Sequence, residues 1–342
     1  MNARQFKDTV RRYIERLGML GEGDKVLVAL SGGADSVCLL KVLHMFGYDV
    51  VAAHCNFHLR GEESMRDEGF VSDLCEKMGV RLRKTDFDTM EYARSRGVSI
   101  EVAARDQRYM FFRQVIDDEG CVAVAVGHHK DDNAETFLLN AVRKTGLRGL
   151  GGIKPVSINQ YGCKVVRPLL CVSRRDITDF LEDQNEDWVT DSTNLHDEVS
   201  RNKVRLAVMP VLKDINRAAV DNLCATMSNL AEVTKIYEEW VKKEVERCSS
   251  WKDDCTLYIY RERLGRCVSP ISVMHELLSP LGFNETQVRN LLTAKGYKSN
   301  RRKGEYELVL PNGRHVMLEV SWKLIRLRFQ NPSDTAKTVT SM

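Results

Sequence analysis

Short apolar runs alternate with amphipathic stretches along the first 145 residues. The runs predict strands at 25–30, 48–55 and 121–127, and 81–87 is expected to form a further strand. The run at 121–127, almost pure Val and Ala, is typical of a strand buried on both faces. Helical spacing predicts a first helix that ends at residue 46. It predicts three more helices, at 62–78, at 100–118 with Ser99 as N-cap, and at 131–144. Alternating strands and helices predict a parallel sheet covered by helices.

The pattern changes in the second half of the chain. Glycines at 146, 149, 151 and 152 predict a loop, 164–170 a last strand, and Ser173 the start of a helix to about residue 184. Residues 216–248 keep a helical pattern without Gly or Pro. Downstream, the pattern predicts a strand at 255–260, helices at 271–281 and 285–295, and a hairpin of 306–310 with 315–320 around Asn312-Gly313.

These elements predict two domains, because a single core rarely grows past about 250–300 residues and the chain has 342. We expect an α/β domain at 1–215, with a parallel sheet flanked by helices. A smaller α+β domain is expected at 216–330, joined by the long helix. The small and polar residues at 331–342 predict a frayed tail.

Composition excludes several classes of protein. Apolar residues make up 43% and charged residues 29%, as in globular proteins. The apolar runs span about five residues where a membrane helix needs about twenty, and the N-terminus has no apolar signal centre, so a cytoplasmic protein is expected. The 10 cysteines contain no C-x-x-C pair, which argues against a zinc ribbon or a thioredoxin-like site.

Charge is unevenly distributed, although the net charge is only +3. Residues 201–342 carry 24 Lys and Arg against 16 Asp and Glu, whereas residues 1–200 carry 27 against 32. A basic second half favours docking of a polyanion there, and a solvated basic surface is the alternative.

The most informative stretch is Ser31-Gly32-Gly33-Ala34-Asp35-Ser36, between the first predicted strand and helix. Two glycines let the backbone approach an anion, and N–H groups at a helix N-terminus bind phosphate. The loop lacks the Gly-Lys-Ser/Thr ending of a Walker loop, so phosphate transfer of that type is not expected. Asp35 would repel a bare phosphate, which favours Mg²⁺ beside it. A Gly-Gly turn capped by serine is the alternative.

This loop resembles the pyrophosphate loop of the ATP pyrophosphatase superfamily, whose members activate a substrate oxygen as an adenylate. Further motifs lie in order at 54–64, 101–109, 127–136, 145–150, 167–170, 191–194 and 201–205. Together they resemble the tRNA(Ile)-lysidine synthetases over about 25–215, and more loosely to about 330. The chain departs from that family at Asn133, where Gln is common, and at Phe57-His58, where His-Gly is common. It is also expected to lack a further C-terminal domain of longer members.

The resemblance implies ATP-dependent ligation of L-lysine to C2 of the wobble cytidine in the CAU anticodon of tRNA(Ile), through an adenylated intermediate, with release of AMP and pyrophosphate. It implies ATP and Mg²⁺ as cofactors and tRNA(Ile) and L-lysine as partners. No membrane partner is expected. The sequence does not decide the oligomeric state, and a homodimer stays open.

Asp35 and Asp132 are the predicted catalytic and Mg²⁺-binding residues, because both would lie at the carboxyl edge of the sheet, where ligands bind in open α/β folds. Asp132 and Glu135, one helical turn apart, are the predicted lysine-binding pair. The predicted ATP contacts are Ser31, Gly32, Gly33, Ala34, Asp35, Ser36, His54, Arg105 and His128. The alternatives are helix capping for Asp131 and Asp132, a solvated acid for Glu135, buried histidines for His54 and His128, and an ion pair for Arg105.

Predicted tRNA contacts form two basic groups along the chain. They are Arg143, Lys144, Arg148, Arg201 and Arg205, and then Arg301, Arg302 and Lys303. Ion pairing is the alternative for Arg201 and Arg205. Three rival functions stay open: a cytidine thiolase, which commonly uses C-x-x-C cysteines; an amidotransferase-type synthetase, which needs a glutaminase; and an inactive RNA-binding protein.

Overall fold

The computed structural model describes residues 1–59, 61–143, 145–189, 199–294 and 305–330. The chain divides into two compact units, Met1–Ala231 and Glu232–Met342. The predicted boundary after residue 215 lies just before the helix Ala219–Cys248, whereas this division falls inside it. The predicted tail at 331–342 lies outside the described residues.

The first unit contains a sheet that is mostly parallel. Its strands are β1 Lys25–Ala29, β2 Asp49–Asn56, β3 Arg81–Asp86, β4 Ala123–Ala125, β5 Val156–Ile158 and β6 Lys164–Val166. Their order is β3-β2-β1-β4-β6-β5, with β5 alone antiparallel to its neighbour in the described sheet. The predicted α/β class is therefore confirmed. Strand β5 was not predicted from the sequence, because it has three residues and no fully buried position.

The described part of the first unit also contains ten α-helices. They are α1 Ala3–Arg16, α2 Ala34–Met45, α3 Glu62–Met78, α4 Thr89–Arg96, α5 Ile100–Glu119, α6 Lys130–Val142, α7 Leu147–Leu150, α8 Arg174–Asp183, α9 Val199–Lys203 and α10 Met209–Ile215. As predicted, Ser99 and Ser173 cap α5 and α8, each accepting a backbone N–H bond at 3.2 Å. A π-helical turn, Val204–Val208, joins α9 to α10.

Two sequence expectations need correction in this unit. The glycine-rich segment predicted as a loop contains the short helix α7. The strand predicted at 164–170 ends at Val166, and a 3-10 turn, Pro168–Cys171, follows. Proline has no N–H to donate to a neighbouring strand, which favours the end of the strand at this point.

The core lies on both sides of the parallel strands. Val26 and Val28 of β1 pack into a cluster with α1, α2 and α8, whereas Leu27 packs on the opposite face against Phe112 of α5. Alternate residues of a strand point to opposite faces, so β1 is buried on both sides. This packing fixes the ends of the parallel strands, where the polar loops begin.

The second unit is antiparallel. Its elements are α11 Ala219–Cys248 (shared with the first unit), β7 Ser249–Asp253, β8 Thr256–Tyr260, α12 Arg261–Gly265, α13 Pro270–Leu278, α14 Glu285–Thr293, β9 Glu305–Val309, β10 His315–Val320 and β11 Leu324–Phe329. The described sheet has the order β7-β8-β11-β10-β9. The predicted Asn312-Gly313 hairpin is confirmed, with Gly313 at φ +77°. No helix among the described residues combines the length and apolar character that a membrane span requires.

Candidate functional site

The Ser31–Ser36 segment forms a compact turn between β1 and α2. The backbone N–H of Ser31 donates to the Ser36 hydroxyl at 3.2 Å, and that hydroxyl donates to the Gly33 carbonyl at 2.9 Å. Gly33 is the N-cap of α2 and makes no side-chain cap bond. The start of α2 carries the positive end of the helix dipole, which is an arrangement suited to phosphate.

Two glycines are required by the geometry of this edge. Gly32 has φ +92°, a backbone conformation that residues with a Cβ rarely adopt. Gly127, directly after β4, lies so close to the loop that a Cβ there would come within 3.1 Å of the Asp35 carbonyl. The absence of a side chain at Gly127 thus allows the loop and the end of β4 to meet.

His129 is the centre of an acidic group at the carboxyl edge of the sheet. Its ring is 1% exposed, and its Nε2 lies 3.7 Å from Asp35 Oδ1 and 3.4 Å from Asp132 Oδ2. Among the described residues, neither Nε2 nor Asp35 Oδ1 has a hydrogen-bond partner, although both are buried. Burial raises the pKa of Asp35, and His129 and Arg174 oppose that shift. The predicted meeting of Asp35 and Asp132 at this edge is therefore seen.

Asp132 also caps α6, which is the alternative role that the sequence left open for it. It accepts the His129 backbone N–H at 3.0 Å, while its own N–H donates to His129 Nδ1 at 3.4 Å. This leaves Oδ1 of Asp132 for Arg205, whose Nη2 lies 3.4 Å away. Asp131 also has a structural role, because it accepts a hydrogen bond from the Arg174 backbone N–H and forms an ion pair with Lys213.

Glu135 is buried and paired with arginines. Its side chain is 2% exposed, and Arg205 donates to its two oxygens from Nε at 2.8 Å and from Nη2 at 3.1 Å. Arg201 Nε lies 3.7 Å from the same carboxylate. Arg205 lies in the π-helical turn Val204–Val208, and such turns are frequent at functional sites. Met209, the first residue of α10, packs with Ala134 and Val220. This packing holds the π-helical turn and α10 against α6.

His128 precedes His129 in the segment that follows β4. Arg167 Nε donates to its Nδ1 at 3.2 Å. Burial lowers the pKa of His128 to about 4, so the ring is neutral at physiological pH. Arg105 lies over the Tyr109 ring at 5.9 Å and is near enough to Arg167 to lower the pKa of that guanidinium, after the larger effect of burial.

An open cavity of about 660 Å³ lies beside the acidic group, within the first unit. His129, Glu135 and Arg205 line one part of it. The rest of the lining combines the cations Arg174, Lys213 and Arg217 with the acids Asp131, Asp176 and Asp221. A cavity lined by both signs of charge suits a small ligand that itself carries both.

The structure brings most of the predicted site residues together. Asp35 and Asp132 approach His129, and Arg205 links Asp132 to Glu135, which also pairs with Arg201. His54 supports the loop by a bond of 2.9 Å between its Nδ1 and the Leu30 carbonyl oxygen. Arg143 and Arg148 lie apart from this group, at the end of α6 and in α7. Arg60, Lys144, Arg301, Arg302, Lys303 and the 191–194 motif lie outside the described residues.

Three residues of this site were missed by sequence reasoning. His129 was named in its motif but given no role, although it is the residue on which the acids converge. Arg174 lies 3.4 Å from Asp35, and Arg167 bonds His128. Arg174 is the first residue of α8, and it reaches Asp35 only through the packing of the fold. No local sequence pattern indicates this contact. Arg167 lies within a motif that was quoted, and that motif was its only signal.

Substituting Val for Gly33 is expected to block ATP without unfolding the chain. Gly33 has an ordinary φ of −71°, and among the described residues a Cβ there would meet Ser31 Oγ at 3.6 Å and the Val189 carbonyl at 4.0 Å and no other atom within 4 Å. The branched side chain would fill the space in front of the loop. Calorimetry should show a loss of ATP affinity of about tenfold or more. Gly265→Val, where a Cβ meets nothing within 4 Å, is the control. Unchanged ATP affinity in Gly33→Val would contradict the loop assignment.

Comparison with known proteins agrees with this geometry. Residues 3–212 match the ATP-binding family described as PP-loop domain. The chain is 46% identical to the tRNA(Ile)-lysidine synthase of Bacteroides thetaiotaomicron over 286 residues, which is 84% of this chain and 65% of that protein. It is also 46% identical to that of Parabacteroides distasonis over 278 residues, covering 80% and 61%.

One solved structure supports the fold. The U34-tRNA thiolase NcsA from Methanococcus maripaludis, with its [4Fe-4S] cluster, aligns with a TM-score of 0.57 at 17% identity, covering 67% of this chain and 79% of that one. The chain spans less than two thirds of the length of the two lysidine synthases. Because the matched region covers more than half of the sequence, the chain belongs to the PP-loop domain family, and its predicted resemblance to tRNA(Ile)-lysidine synthases is confirmed.

Proposed function

We propose that this protein ligates L-lysine to C2 of the wobble cytidine in the CAU anticodon of tRNA(Ile), using ATP. The observation that carries the proposal is the convergence of Asp35, Asp132 and Glu135 beside the PP-loop, in a chain 46% identical to proteins named tRNA(Ile)-lysidine synthase. The loop would bind the nucleotide, and the carboxylates next to it would bind Mg²⁺ and the lysine ammonium.

The reaction needs activation, because an oxygen at C2 of cytidine is a poor leaving group. Attack of that oxygen on the α phosphorus of ATP forms an adenylate and releases pyrophosphate. The lysine ε-amine then attacks C2, and AMP leaves with the oxygen. The chain's part is to position the three reactants and to stabilise the charge that develops on phosphate. The N–H groups at the start of α2 would bind the phosphates, and hydrogen bonds of Ser31 and Ser36 shape the loop.

Asp35 and Asp132 fit the predicted Mg²⁺ site. The unpartnered, buried Oδ1 of Asp35 and the Oδ2 of Asp132 approach the same His129 nitrogen, and Mg²⁺ is bound through one or two carboxylates with the rest of its shell from water and phosphate. Mg²⁺ held there would offset the negative charge of the ATP phosphates. Arg174, 3.4 Å from Asp35, contributes a further positive charge at this end of the loop.

Glu135 and Asp132 are proposed to bind the lysine substrate, as the resemblance implies. They lie on one face of α6, and Glu135 lines the cavity of mixed charge. In the structure Arg205 and Arg201 occupy these carboxylates, so a lysine ammonium would share the acids with the arginines. His128 would contact ATP or the base. Because its ring is neutral, it carries no positive charge that would attract the surrounding carboxylates.

The basic second half is proposed to hold the tRNA backbone. Replacing Arg301, Arg302 and Lys303 together by Ala is expected to weaken tRNA binding and to lower its salt slope by up to about 0.9 per lost phosphate contact. ATP affinity should not change, and lysine transfer at saturating tRNA should survive, since backbone contacts position the RNA without touching the reacting base. A filter-binding titration at several salt concentrations measures both quantities.

A matched control replaces two lysines that already have acidic partners. Lys235 and Lys243 pair with Glu232 and Glu239 on α11, each at 2.7 Å, so their joint replacement by Ala should leave the salt slope nearly unchanged. If the triple variant also keeps the slope of the unsubstituted chain, the 301–303 group is a solvated basic turn.

A cytidine thiolase is the second candidate, and only the shared fold with NcsA favours it. The decisive experiment incubates the chain with ATP, radiolabelled lysine and isoleucine tRNA bearing a CAU anticodon, and follows label in the RNA. Label on the wobble base and one AMP per lysine are expected. A parallel reaction supplies a sulfide donor in place of lysine. Thiolated cytidine in that reaction, with no lysine label in the first, would favour the thiolase.

A further inference from the structure

Two thiols and a carboxylate come together in the second unit, in a place that the proposed reaction does not use. Glu244 and Cys248 are four residues apart on α11 and therefore on one face, and Cys267 follows α12. The two Sγ atoms lie 3.4 Å apart, and Cys267 Sγ lies 2.9 Å from Glu244 Oε2. One atom of each residue thus lies within 4.8 Å of the other two.

The separation of the two sulfur atoms is close to that of two ligands around a tetrahedral metal ion. Zinc binds thiolate sulfur at about 2.3 Å, which places two sulfurs of a tetrahedron about 3.8 Å apart. The Cys248 and Cys267 sulfurs need to separate by only a few tenths of an ångström to reach this distance. Carboxylate oxygen and thiolate sulfur are both ligands that zinc accepts.

Arg247 balances the charge of such a site. Its Nη2 lies 3.2 Å from Cys267 Sγ, and its Nε lies 3.2 Å from both Glu244 oxygens. Two thiolates, one carboxylate, a divalent cation and one guanidinium sum to a neutral group. Arg247 is itself held by the Arg263 carbonyl at 3.2 Å, so it serves as an outer hydrogen-bond donor that orients the ligands.

The group is open to solvent on one side. Cys248 is 0% exposed, whereas the Glu244 side chain is 19% exposed and Cys267 is partly exposed. We propose that Glu244, Cys248 and Cys267 bind one thiophilic divalent cation of the zinc class, with water as the fourth ligand. The ion would tie the end of α11 to the turn after α12 and so stabilise the second unit.

Metal titration of the whole chain tests this proposal. The protein is reduced with a phosphine, stripped with a chelator and titrated with zinc chloride, or with cobalt(II), whose thiolate complexes absorb by charge transfer. We expect one tight ion per chain, a cobalt–thiolate band, and a rise of the thermal midpoint on adding zinc. Cys267→Ser and Glu244→Gln should each lose the tight ion, the cobalt band weakening most in Cys267→Ser.

Cys255→Ser is the matched control, because Cys255 is also partly exposed but lies outside the group. It should bind zinc like the unsubstituted chain. Glu244→Gln changes a partly exposed side chain, so it remains informative if Cys267→Ser misfolds. Failure to bind micromolar zinc, or equal binding by Cys267→Ser, Glu244→Gln and the control, overturns the proposal. A Cys248–Cys267 disulfide formed in air by a reduced chain that binds no zinc would identify a redox pair instead.

Discussion

Replacing Asp35 by Asn is expected to abolish AMP release while leaving the chain folded. The change removes the charge of the carboxylate that carries an unpartnered buried oxygen beside the loop, and keeps the size of the side chain. Because burial already raises the pKa of Asp35, the neutral amide costs little stability. AMP formation with tRNA and lysine should fall by at least about 100-fold, and the thermal midpoint should stay within a few degrees.

Asp49→Asn is the matched control for this experiment. Asp49 begins β2, at the opposite end of the strand from the site, and its exposed carboxylate pairs with Lys25 at 3.2 Å. The same chemical change there should leave AMP formation unaltered. AMP release by Asp35→Asn within twofold of the unsubstituted chain would remove Asp35 from the reaction.

Replacing Glu135 by Gln is expected to raise the KM for lysine by about tenfold or more, because a buried charge pairs with an ammonium far better than an amide does. Adenylate formation, followed as pyrophosphate release without lysine, should be less affected. The substitution also removes the charged carboxylate that pairs with Arg205 at 2.8 Å, so some loss of stability is expected.

Glu119→Gln separates the loss of stability from the loss of lysine binding. The Glu119 side chain is 5% exposed and pairs with Arg81 and Arg83, so its replacement breaks a comparable ion-pair group away from the loop. Both variants should melt earlier, but only Glu135→Gln should change the KM for lysine. An equal KM in the two variants would show that Glu135 acts as a structural partner of Arg205 alone.

Local pattern predicted much of the parallel sheet, since β1, β2 and β4 contain apolar runs with buried side chains. Helix 62–78 is found with the predicted bounds, and Ser99 caps α5 as its position predicts. The weakest predictions concern short elements whose state depends on distant partners. The antiparallel strand β5 exists because β6 offers it a pairing edge, and α7 forms within a glycine-rich segment that reads locally as a loop.

The motif 127–136 also contains features that the sequence predicted and contacts that only the tertiary fold creates. Sequence spacing placed Asp132 and Glu135 on one helix face, and the order of the strands placed Asp35 near them. It did not reveal that Arg205 already pairs with Glu135, because that contact joins residues seventy positions apart through the packing of Met209 on α6. The Cys248–Cys267 group was likewise invisible to a search for closely spaced cysteines.

The sequence by itself determined the α/β class, the turn at Ser31–Ser36 and the resemblance to lysidine synthetases, because these depend on local backbone preference and on the order of motifs. Tertiary structure alone decided that His129 lies between the two aspartates and that Arg174 reaches Asp35. It also decided that the carboxylates of Glu135 and Asp132 are shared with arginines. The physical reason is that charge pairing and burial depend on distances between residues far apart in the chain, which only the packed fold sets.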